Sequence, residues 1–329
     1  MGGILNTKII VPKFALWDHH YFGWKGTIDF LRKHSALGRT KSAILEPSIE
    51  NVLFHDRKHN HRKLKLYEAK DWVAFVHHHP TDSRSELTLI KLVRDKANRQ
   101  IFNRCKGLFV LTELQKQSFQ KIPELSGIPI SKLYHPTAKR DENSFYDIES
   151  LNKQPVGWPL PKNCLVNVGD HCRLFRRFAR LKTNYLKCVL FDRDLHWKGP
   201  RSQIRRDREL SKNTIVHNKR FTDVDYDYIL CNNIQYAQFD RPNASNYILE
   251  CIVRGTPIFV SKNDTVVEYL GEDYPLYHEN FENKWNSVIL DKTLISETHE
   301  YLLNHPFKEK FTLDYFLKSF IESAVYESI

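Results

Sequence analysis

The sequence lacks the features that would assign it to a membrane, secreted or disulfide-rich class. No stretch is apolar over the length that a membrane-spanning helix needs. The beginning of the chain, MGGILNTKIIVPKF, has no continuous apolar core of the kind that signal peptides carry. The six cysteines form no CxxC pair, which argues against a disulfide framework and against a zinc knuckle. We therefore expect a cytoplasmic globular protein with buried free thiols.

Sequence signals of a bound metal are also absent. The chain contains no HExxH motif and no paired cysteines. Three of its 16 histidines, His77, His78 and His79, are adjacent. Successive side chains of an extended segment point to opposite faces, so these three cannot converge on one ion. They are better interpreted as part of a cleft wall, and we expect no metal.

The positive charge is confined to one part of the chain. The net charge is +11, from 50 Lys and Arg and 39 Asp and Glu. Residues 171–220 hold 15 of these basic residues and only 4 of the acidic ones, so the rest of the chain is balanced. A local basic excess indicates an anionic partner: nucleotide phosphates, a nucleic acid, an acidic lipid or a glycan. A solvated basic face without a partner is the other interpretation.

The length and the pattern of apolar residues predict two α/β domains. The 329 residues, 41% of them hydrophobic, are enough for two cores. Short apolar strands alternate with helices in both halves, and NVLFHD (51–56) is one of the predicted strands. The polar, proline-bearing stretch 138–160 is the best domain boundary. The predicted segments are 1–140, 155–305 and a terminal 306–329, with an amphipathic helix over 311–328.

Polar residues that can take part in catalysis follow two predicted strands of the first half. TKIIVPKFAL leads into a loop with Asp18 and His19, and DWVAFV is followed by His78. Open α/β sheets bind ligands at the carboxyl ends of their strands. Asp18 and His19 are therefore the first candidates for a general base, and His78 is the reserve. Turn formation and aromatic packing explain Asp18 and His19 about equally well.

The stretch 240–277, DRPNASNYILECIVRGTPIFVSKNDTVVEYLGEDYPLY, organises the second half. It predicts a helix whose first turn can be capped by Asn243 or Ser245, because a short side-chain oxygen accepts hydrogen bonds from the unpaired amides there. Gly255 lies where the helix should end, since glycine tolerates the left-handed backbone of a C-cap. The apolar run IFVS then predicts a buried strand.

The same helix carries candidate nucleotide-binding groups. Asn246 and Glu250 are four residues apart and share one helix face. The amides and dipole of a helix N-terminus attract phosphate, so Asn243, Ser245 and Asn246 can border a diphosphate. A carboxylate farther along can accept hydrogen bonds from a ribose diol. An ordinary capped helix with Glu250 on a solvated face is the alternative.

Arginines at helical spacing follow another predicted strand, NCLVNVG. The segment DHCRLFRRFARLK places Arg173 directly after the strand-to-helix turn, with Arg176 one turn later. A guanidinium group can bind phosphate oxygens through two parallel hydrogen bonds. These two residues are therefore added to the candidate phosphate-binding set.

Together these segments resemble the GT-B glycosyltransferases. NASNYILECIVRGTPIFVSKNDTVVEYLGEDYPLY is similar to the donor-site segment of a GT-B group found in bacteria and large viruses. GLFVLTELQKQSF with KLYHPT is similar to the end of a GT-B acceptor domain, and LVNVGDHCRLFRRF resembles the strand and phosphate loop that open a donor domain. The similarity covers most of residues 100–290 and is specific at 243–277.

The resemblance implies two facing Rossmann-like domains with a cleft between them, and a C-terminal helix that crosses back to the first domain. It implies that Glu250 holds the donor ribose, that Ser245, Asn246 and the helix N-terminus hold the diphosphate, and that Arg173, supported by Arg176, counters the leaving charge. One position departs from the pattern. Many retaining GT-B enzymes have a second glutamate eight residues before the helical one, where this chain has Pro242.

The resulting hypothesis is metal-independent sugar transfer, by a hexosyl- or pentosyltransferase, from a UDP- or GDP-linked donor to a hydroxyl of a glycan or other acceptor. Inversion of configuration is mildly favoured by the base candidates and by Pro242. The nucleotide sugar is a substrate, so we expect no cofactor, and peripheral contact with a membrane is compatible with the sequence. We expect no nucleic acid as a partner. A nucleic-acid-binding protein using residues 171–220 and a non-catalytic nucleotide-sugar binder are the alternatives.

Overall fold

The structure is a computed structural model that describes residues 8–12, 23–34, 43–56, 62–80, 88–137, 145–147, 164–169, 172–183, 185–190, 214–217, 221–281 and 291–329. The chain divides into two compact units. The first unit combines Met1–Pro136 with Glu309–Ile329, and the second is Thr137–Lys308. Each unit contains one parallel five-stranded sheet, which confirms the predicted α/β class with two Rossmann-like domains.

The strands are short, as is usual for parallel sheets buried between helices. In chain order they are Ile9–Ile10 (β1), Ala43–Glu46 (β2), Trp72–Val76 (β3), Cys105–Val110 (β4), Ile130–Lys132 (β5), Leu165–Val168 (β6), Lys187–Leu190 (β7), Thr214–His217 (β8), Ile234–Ala237 (β9) and Ile258–Val260 (β10). All residues of β2, β3, β9 and β10 are buried.

The α-helices of the described residues are mostly of one to three turns. In chain order they are Trp24–His34 (α1), Ile49–Asn51 (α2), Arg62–Ala69 (α3), Leu89–Arg94 (α4), Arg99–Phe102 (α5), Glu113–Gln120 (α6), Phe175–Arg180 (α7), Asp223–Cys231 (α8), Asn246–Arg254 (α9), Asp264–Leu270 (α10), Lys292–Leu303 (α11), Leu313–Ile321 (α12) and Ala324–Glu327 (α13). Within those described ranges, no helix is long and apolar enough to cross a bilayer.

In the first unit, each strand pairs with its neighbour in the chain, and the order is β1-β2-β3-β4-β5. Side chains of β3 and β4 such as Trp72 and Leu108 share a core cluster with residues of helices α3 to α6, for example Leu64 and Phe119. These helices therefore lie on one face of the sheet. Right-handed crossovers between sequential parallel strands lead to this arrangement.

The other face of the first sheet is covered by the end of the chain. Alternate strand residues point to this face, where the rings of Phe75 and Phe109 stack on Phe320 at 6.3 and 4.7 Å between centroids. Gly107 of β4 lies so close to α13 that an added Cβ would be 2.5 Å from Val325 Cγ1. The predicted return of the C-terminal helix to the first domain is thus confirmed.

Two of the predicted elements are wrong in detail. The single terminal helix predicted over 311–328 is divided into α12 and α13, because Ser323 accepts the Tyr326 amide proton and starts a new helix. NVLFHD, predicted as a strand, lies in α2 and a following π-helical turn, Val52–Asp56. A short apolar run does not distinguish a buried strand from a buried helix.

In the second unit the strand order is β10-β9-β6-β7-β8, again all parallel. The order reverses at β6, which pairs with β7 on one side and with β9 on the other. At such a reversal the connections from the two strands leave in opposite directions and open a crevice at the carboxyl ends, where ligands bind in open α/β sheets. The topology therefore places a candidate site after Val168 and Ala237.

Candidate functional site

Two loops are fastened together at this strand reversal. Arg173, after β6, and Phe239, after β9, form an isolated antiparallel bridge. The amide of Leu174 donates to the Gln238 carbonyl at 2.8 Å, and the amide of Asp240 donates to the Cys172 carbonyl at 2.8 Å. The loops that border the crevice are thus held by main-chain hydrogen bonds and do not depend on exposed side chains.

Both loops contain backbone that most side chains avoid. Gly169, which ends β6, has φ +84, as a turn that needs glycine requires. Cys172 and Arg241 have φ of 57 and 50, and among the described residues they are the non-glycine positions with positive φ. Left-handed backbone at non-glycine residues is unfavourable and is often found at functional sites.

Arg173 is fixed in the crevice by its own hydrogen bond and by aromatic rings. Its Nε donates to the carbonyl of Val168 at 3.1 Å. Its guanidinium carbon lies 4.1 Å from the centroid of the Phe239 ring and 5.5 Å from that of Tyr247. Stacking on aromatic faces suits a guanidinium group that must keep one orientation. The side chain is half-buried, so the positive charge lies at the crevice and not in open solvent.

The predicted helix after the second loop is present as α9 and ends at Gly255 as expected, but the predicted side-chain cap at its start is not formed in the described part of the chain. Ser245 is its N-cap residue, with extended backbone, and Gly255 is its C-cap with φ 67. The Ser245 hydroxyl makes no capping hydrogen bond within this described segment, unlike that of Thr222 before α8. The cap side chain therefore does not compete with a ligand for the first-turn amides.

Glu250 is buried on the second turn of α9, so the alternative of a solvated carboxylate is wrong. The hydroxyl of Tyr226 donates to Glu250 Oε2 at 2.5 Å. Burial raises the pKa of Glu250 from its ordinary 4.5 to about 7, against the opposing influence of Arg254, the Tyr226 hydrogen bond and Arg173. Asp227 acts in the raising direction.

A buried ion pair between Arg254 and Asp227 lies next to Glu250 and holds its helix in place. Arg254 Nε donates to Asp227 Oδ1 at 2.9 Å, and its Nη2 contacts the same oxygen. Arg254 Nη1 also donates to the main-chain carbonyl of Glu250 at 3.1 Å. Since Asp227 and Tyr226 belong to α8, this pair fixes α8 against α9 and so fixes the position of the Glu250 carboxyl.

Several of these residues were missed in the sequence. Tyr247 lies under the arginine, with its hydroxyl 2.9 Å from the Val166 carbonyl and 2.8 Å from Gln235 Oε1. Neither Tyr226 nor Tyr247 belongs to a motif with a recognisable spacing. A signal for Tyr247 existed but was not used: it follows Asn246 at the start of an amphipathic helix, where a large apolar side chain is expected to face the core.

The remaining predicted site residues divide into three groups. Asp18 and His19 lie outside the described residues, as does the side chain of Arg176, whose backbone forms part of α7. Asn243 and Asn246 are half-buried at the start of α9 beside Ser245. His78 belongs to the first unit, directly after β3. The structure therefore brings Arg173, Glu250 and the α9 N-terminus together at one crevice.

No candidate metal centre is found in the parts of the chain that the structure describes. Those ranges contain no group of three or more His, Cys, Asp or Glu side chains arranged to hold an ion. The charged groups at the crevice include Arg173 and the buried Glu250, whose pKa is about 7. This set suits an anionic ligand that also carries hydroxyl groups.

No protein-family model matches the sequence, and no curated protein matches it either. Several solved structures are similar to this chain. Sucrose-phosphate synthase from Thermosynechococcus elongatus is similar with a TM-score of 0.54 at 12% identity, over 80% of this chain and 70% of that one. The pneumococcal O-GlcNAc transferase GtfA, in complex with UDP and GlcNAc, gives 0.54 at 9% identity, over 88% and 57%.

WaaG, a glycosyltransferase involved in lipopolysaccharide biosynthesis, gives a TM-score of 0.50 at 16% identity, over 80% of each chain. The present chain thus spans about 70% of the length of the first of these proteins and 57% of the second. Similarity at such low identity concerns the course of the backbone and not the identity of site residues. It confirms the resemblance predicted from the motifs: this chain has the fold of the GT-B glycosyltransferases.

Proposed function

We propose that the chain is a glycosyltransferase that moves a sugar from a nucleoside diphosphate sugar to a hydroxyl group of a glycan or other acceptor. The observation that carries this proposal is the crevice at the strand reversal of the second unit. There a fixed guanidinium group, Arg173, and a buried carboxyl, Glu250, lie beside the N-terminus of one helix. A nucleotide sugar offers the matching groups: a diphosphate and a ribose diol.

The diphosphate binds to the α9 N-terminus and Arg173. The first-turn amides and the helix dipole attract its oxygens, and the guanidinium group supplies the positive charge. As the sugar leaves, negative charge grows on the diphosphate. Donors already oriented toward that charge stabilise the transition state without reorganising. These groups do for the leaving diphosphate what a divalent ion does elsewhere, and we propose a metal-independent reaction.

The ribose binds to Glu250. One carboxyl oxygen accepts a hydrogen bond from the Tyr226 hydroxyl, and in this proposal the other accepts hydrogen bonds from the ribose hydroxyls of the donor. An ionised carboxylate accepts such hydrogen bonds better than the protonated form does. UDP is the first nucleotide to test, since the similar pneumococcal transferase was solved with UDP, and GDP is the second.

In the chemical step one bond forms, one bond breaks and one proton is transferred. The acceptor oxygen attacks the anomeric carbon, the bond from that carbon to the diphosphate breaks, and the nucleoside diphosphate leaves with the electron pair. A base takes the acceptor proton, and the candidates are Asp18, His19 and His78. Pro242, where many retaining enzymes have a glutamate, supports the inverting outcome.

Calorimetry and turnover test the proposal. UDP, GDP, UDP-glucose and GDP-mannose are titrated against the wild-type protein, and release of the nucleoside diphosphate is followed with time. Arg173→Ala should lower turnover by roughly 10²-fold or more, as the loss of one oriented donor does elsewhere. Glu250→Ala should weaken nucleotide affinity by about tenfold to a hundredfold. Arg177→Ala is the matched control, because Arg177 is exposed on α7 in the same basic segment.

Two results would contradict the proposal. One is wild-type protein that binds none of the four compounds. The other is turnover that survives Arg173→Ala and Glu250→Ala unchanged. Tight RNA binding that weakens steeply with salt, with no nucleotide binding, would support the nucleic-acid-binding alternative instead.

A further inference from the structure

Residues 145–147 lie inside the predicted domain boundary, belong to the second unit and join the ends of two of its helices. The amide of Tyr146 donates to the carbonyl of Arg254 at 2.9 Å, and the amide of Asp147 donates to that of Cys231 at 2.7 Å. Arg254 is the last residue of α9, and Cys231 is the last residue of α8. The last carbonyls of a helix have no partner within it, so these two successive amides complete both helix ends.

A hydrogen bond also links the same two helix ends directly. The hydroxyl of Thr256, which follows α9, donates to the carbonyl of Leu230 at 3.2 Å. Thr256 is completely buried. The last two carbonyls of α8, those of Leu230 and Cys231, are thus bonded to a residue after α9 and to the segment 145–147. The C-terminal ends of α8 and α9 are therefore held in one arrangement.

The side chain of Tyr146 packs beside these helix ends. It is 4% exposed, and its ring centroid lies 5.6 Å from that of His299 in α11. His299 Nδ1 lies 2.7 Å from the carbonyl of Gly255, the C-cap residue of α9. Among the described residues the Tyr146 hydroxyl has no hydrogen-bond partner, so the side chain contributes through its buried ring. The segment 145–147 thus contacts α8, α9 and α11.

These contacts lie one helical turn from the carboxyl group that is proposed to bind the ribose. Glu250 precedes Arg254 by four residues, about 6 Å along a helix axis. The Arg254 guanidinium donates to the main-chain carbonyl of Glu250 at 3.1 Å. Tyr226 of α8 donates to Glu250 Oε2 at 2.5 Å. A shift of α8 against α9 would separate this pair, so the contacts that fix the two helix ends also fix Tyr226 against Glu250.

We propose that Tyr146 is a positioning residue for nucleotide binding, which acts through α8 and α9 on the carboxyl group of Glu250. The inference rests on the proposed function, because it takes Glu250 as the group that binds the ribose. The effect is reciprocal. If the fixed segment 145–147 strengthens nucleotide binding, bound nucleotide must stabilise that segment by the same factor. The stretch that the sequence marks as a domain boundary thus supports the nucleotide site of the second unit.

A double-mutant cycle tests whether Tyr146 acts through Glu250. Calorimetry on the full chain measures the affinity for UDP and GDP of wild type, Tyr146→Ala, Glu250→Ala and the double variant. Tyr146→Ala should weaken binding by about fivefold to tenfold, the usual size of coupling within one network. In the Glu250→Ala background the same change should have less than about a twofold effect, because the positioned carboxyl is absent. The melting temperature should fall in both backgrounds, which separates positioning from general stabilisation.

Three variants serve as controls. Tyr146→Phe, the conservative change, keeps the buried ring and should restore affinity to within about twofold of wild type. Phe145→Ala alters the neighbouring side chain, which is 42% exposed, and should leave affinity unchanged. Tyr301→Ala changes another tyrosine at a helix end, whose hydroxyl donates to the carbonyl of Leu270, the last residue of α10. It should lower the melting temperature without weakening nucleotide binding, since α10 carries none of the proposed nucleotide-binding groups.

Hydrogen exchange of the wild-type protein tests the reciprocal effect without any substitution. Saturating UDP or GDP should slow exchange of the Tyr146 and Asp147 amides by about the factor that Tyr146→Ala loses in affinity. Asp147→Ala and Asp147→Pro are a matched pair if Tyr146→Ala folds poorly. Both lose the carboxyl group, but only proline removes the amide that donates to Cys231. Only Asp147→Pro should therefore weaken nucleotide binding, by about fivefold or more.

The proposal is overturned if Tyr146→Ala binds UDP and GDP as wild type does, or if its loss is the same with and without Glu250. Exchange at residues 145–147 that is unchanged by saturating nucleotide overturns it as well. Each of these results requires wild-type protein that binds a nucleotide, and so leaves the proposed function intact. Wild-type protein that binds none of UDP, GDP and their sugars would instead refute the proposed function itself, and the role of Tyr146 with it.

Discussion

The two units build the same kind of sheet but organise their polar groups differently. Each has five parallel strands and a buried glutamate with a pKa of about 7 near the carboxyl edge, Glu50 in the first unit and Glu250 in the second. Glu50 accepts hydrogen bonds from the main-chain amides of His77 and His78, whereas Glu250 accepts one from the hydroxyl of Tyr226. The first arrangement fixes a backbone turn, and the second fixes the carboxyl itself.

Strand order explains this difference. In the second unit the order reverses at β6, so the topology itself opens a crevice, and the carboxyl group of Glu250 has only to be placed beside it. The described strands of the first unit follow the chain order without a reversal. There, the polar groups are concentrated on one turn after β3. In the first unit, buried side chains therefore fix the geometry of a turn.

The largest expected contrast between the units concerns their ion pairs. Arg254→Met would leave Asp227 buried without its partner and should lower the free energy of unfolding by about 3–5 kcal/mol. Lys25→Met removes the exposed pair with Asp29 in the first unit and should cost less than about 1 kcal/mol. Urea unfolding measures both. Similar losses for the two variants would show that the Arg254 pair does not fix α8 to α9.

The second largest effect concerns the two buried glutamates, Glu50 and Glu250, which should make the stability of the protein depend on pH. Their folded-state pKa values of about 7 exceed the ordinary 4.5, so the folded protein binds protons that the unfolded chain has released. Stability from these groups is therefore present at low pH and lost as the pH rises through about 4.5 to 7, by on the order of 2–3 kcal/mol per group.

Glu50→Gln and Glu250→Gln should each remove about half of this slope, which urea unfolding at pH 5 and pH 7.5 would record. Asp29→Asn is the control. The pKa of Asp29 is lowered, with burial opposed by Lys25 and Arg32, so its contribution is lost as the pH falls below that range. A slope that persists in the double glutamine variant would refute the assignment to these two carboxyl groups.

Alanine substitutions at two glycines, Gly107 and Gly255, distinguish destabilisation by crowding from destabilisation by backbone strain. Gly107→Ala in the first unit places a Cβ 2.5 Å from Val325 Cγ1 and should cost about 1–3 kcal/mol, which Val325→Ala should largely restore. Gly255→Ala in the second unit meets Leu303 Cδ2 at 2.9 Å and His299 Nδ1 at 3.0 Å, and it also forces alanine to φ +67. Leu303→Ala should therefore fail to restore it fully. Thermal unfolding of the four variants measures the difference, and equal recovery would exclude the strain.

The smallest effect is expected from replacing two tyrosines whose hydroxyl groups donate hydrogen bonds to buried carboxyl groups at 2.5 Å. They are Tyr67, bonded to Glu46, and Tyr226, bonded to Glu250. Replacing either with Phe should cost about 1 kcal/mol of stability. Only Tyr226→Phe should weaken UDP or GDP binding, by about threefold to tenfold. Because the Tyr226 hydrogen bond lowers the pKa of Glu250, its loss should also move the acid limb of binding to higher pH. If calorimetry shows that Tyr67→Phe and Tyr226→Phe weaken nucleotide binding equally, the proposed binding of the nucleotide by Glu250 is contradicted.

The sequence was informative where local chemistry decides structure. Helix α9 was predicted from a polar start and a glycine end, and Gly255 takes the left-handed backbone that ends it. The return of the last helix followed from the resemblance. The break at Ser323 was not predicted, because a capping serine inside an amphipathic pattern gives no signal until the helix is seen to restart there. The strand predicted at NVLFHD was wrong because apolar runs of that length fit either element.

The candidate site was predicted in part for the same reason. Arg173 and Glu250 stood out because each belongs to a strand-turn-helix segment with recognisable residue types. Their partners did not. Tyr226 is 24 residues from Glu250 in the chain, and Glu50 is 27 and 28 residues from the amides that it binds. No periodicity connects residues at such separations.

What the amino-acid sequence determined by itself is thus the alternation of strands and helices, the glycine end of α9 and the residue types of a candidate phosphate- and ribose-binding segment. These depend on neighbours within a turn or two. Only the tertiary structure decided that Glu250 is buried beside a tyrosine, that the strand order reverses at β6, and that Glu50 holds the turn of His78. Burial and strand order arise from contacts between distant segments, and those contacts exist only once each sheet has formed.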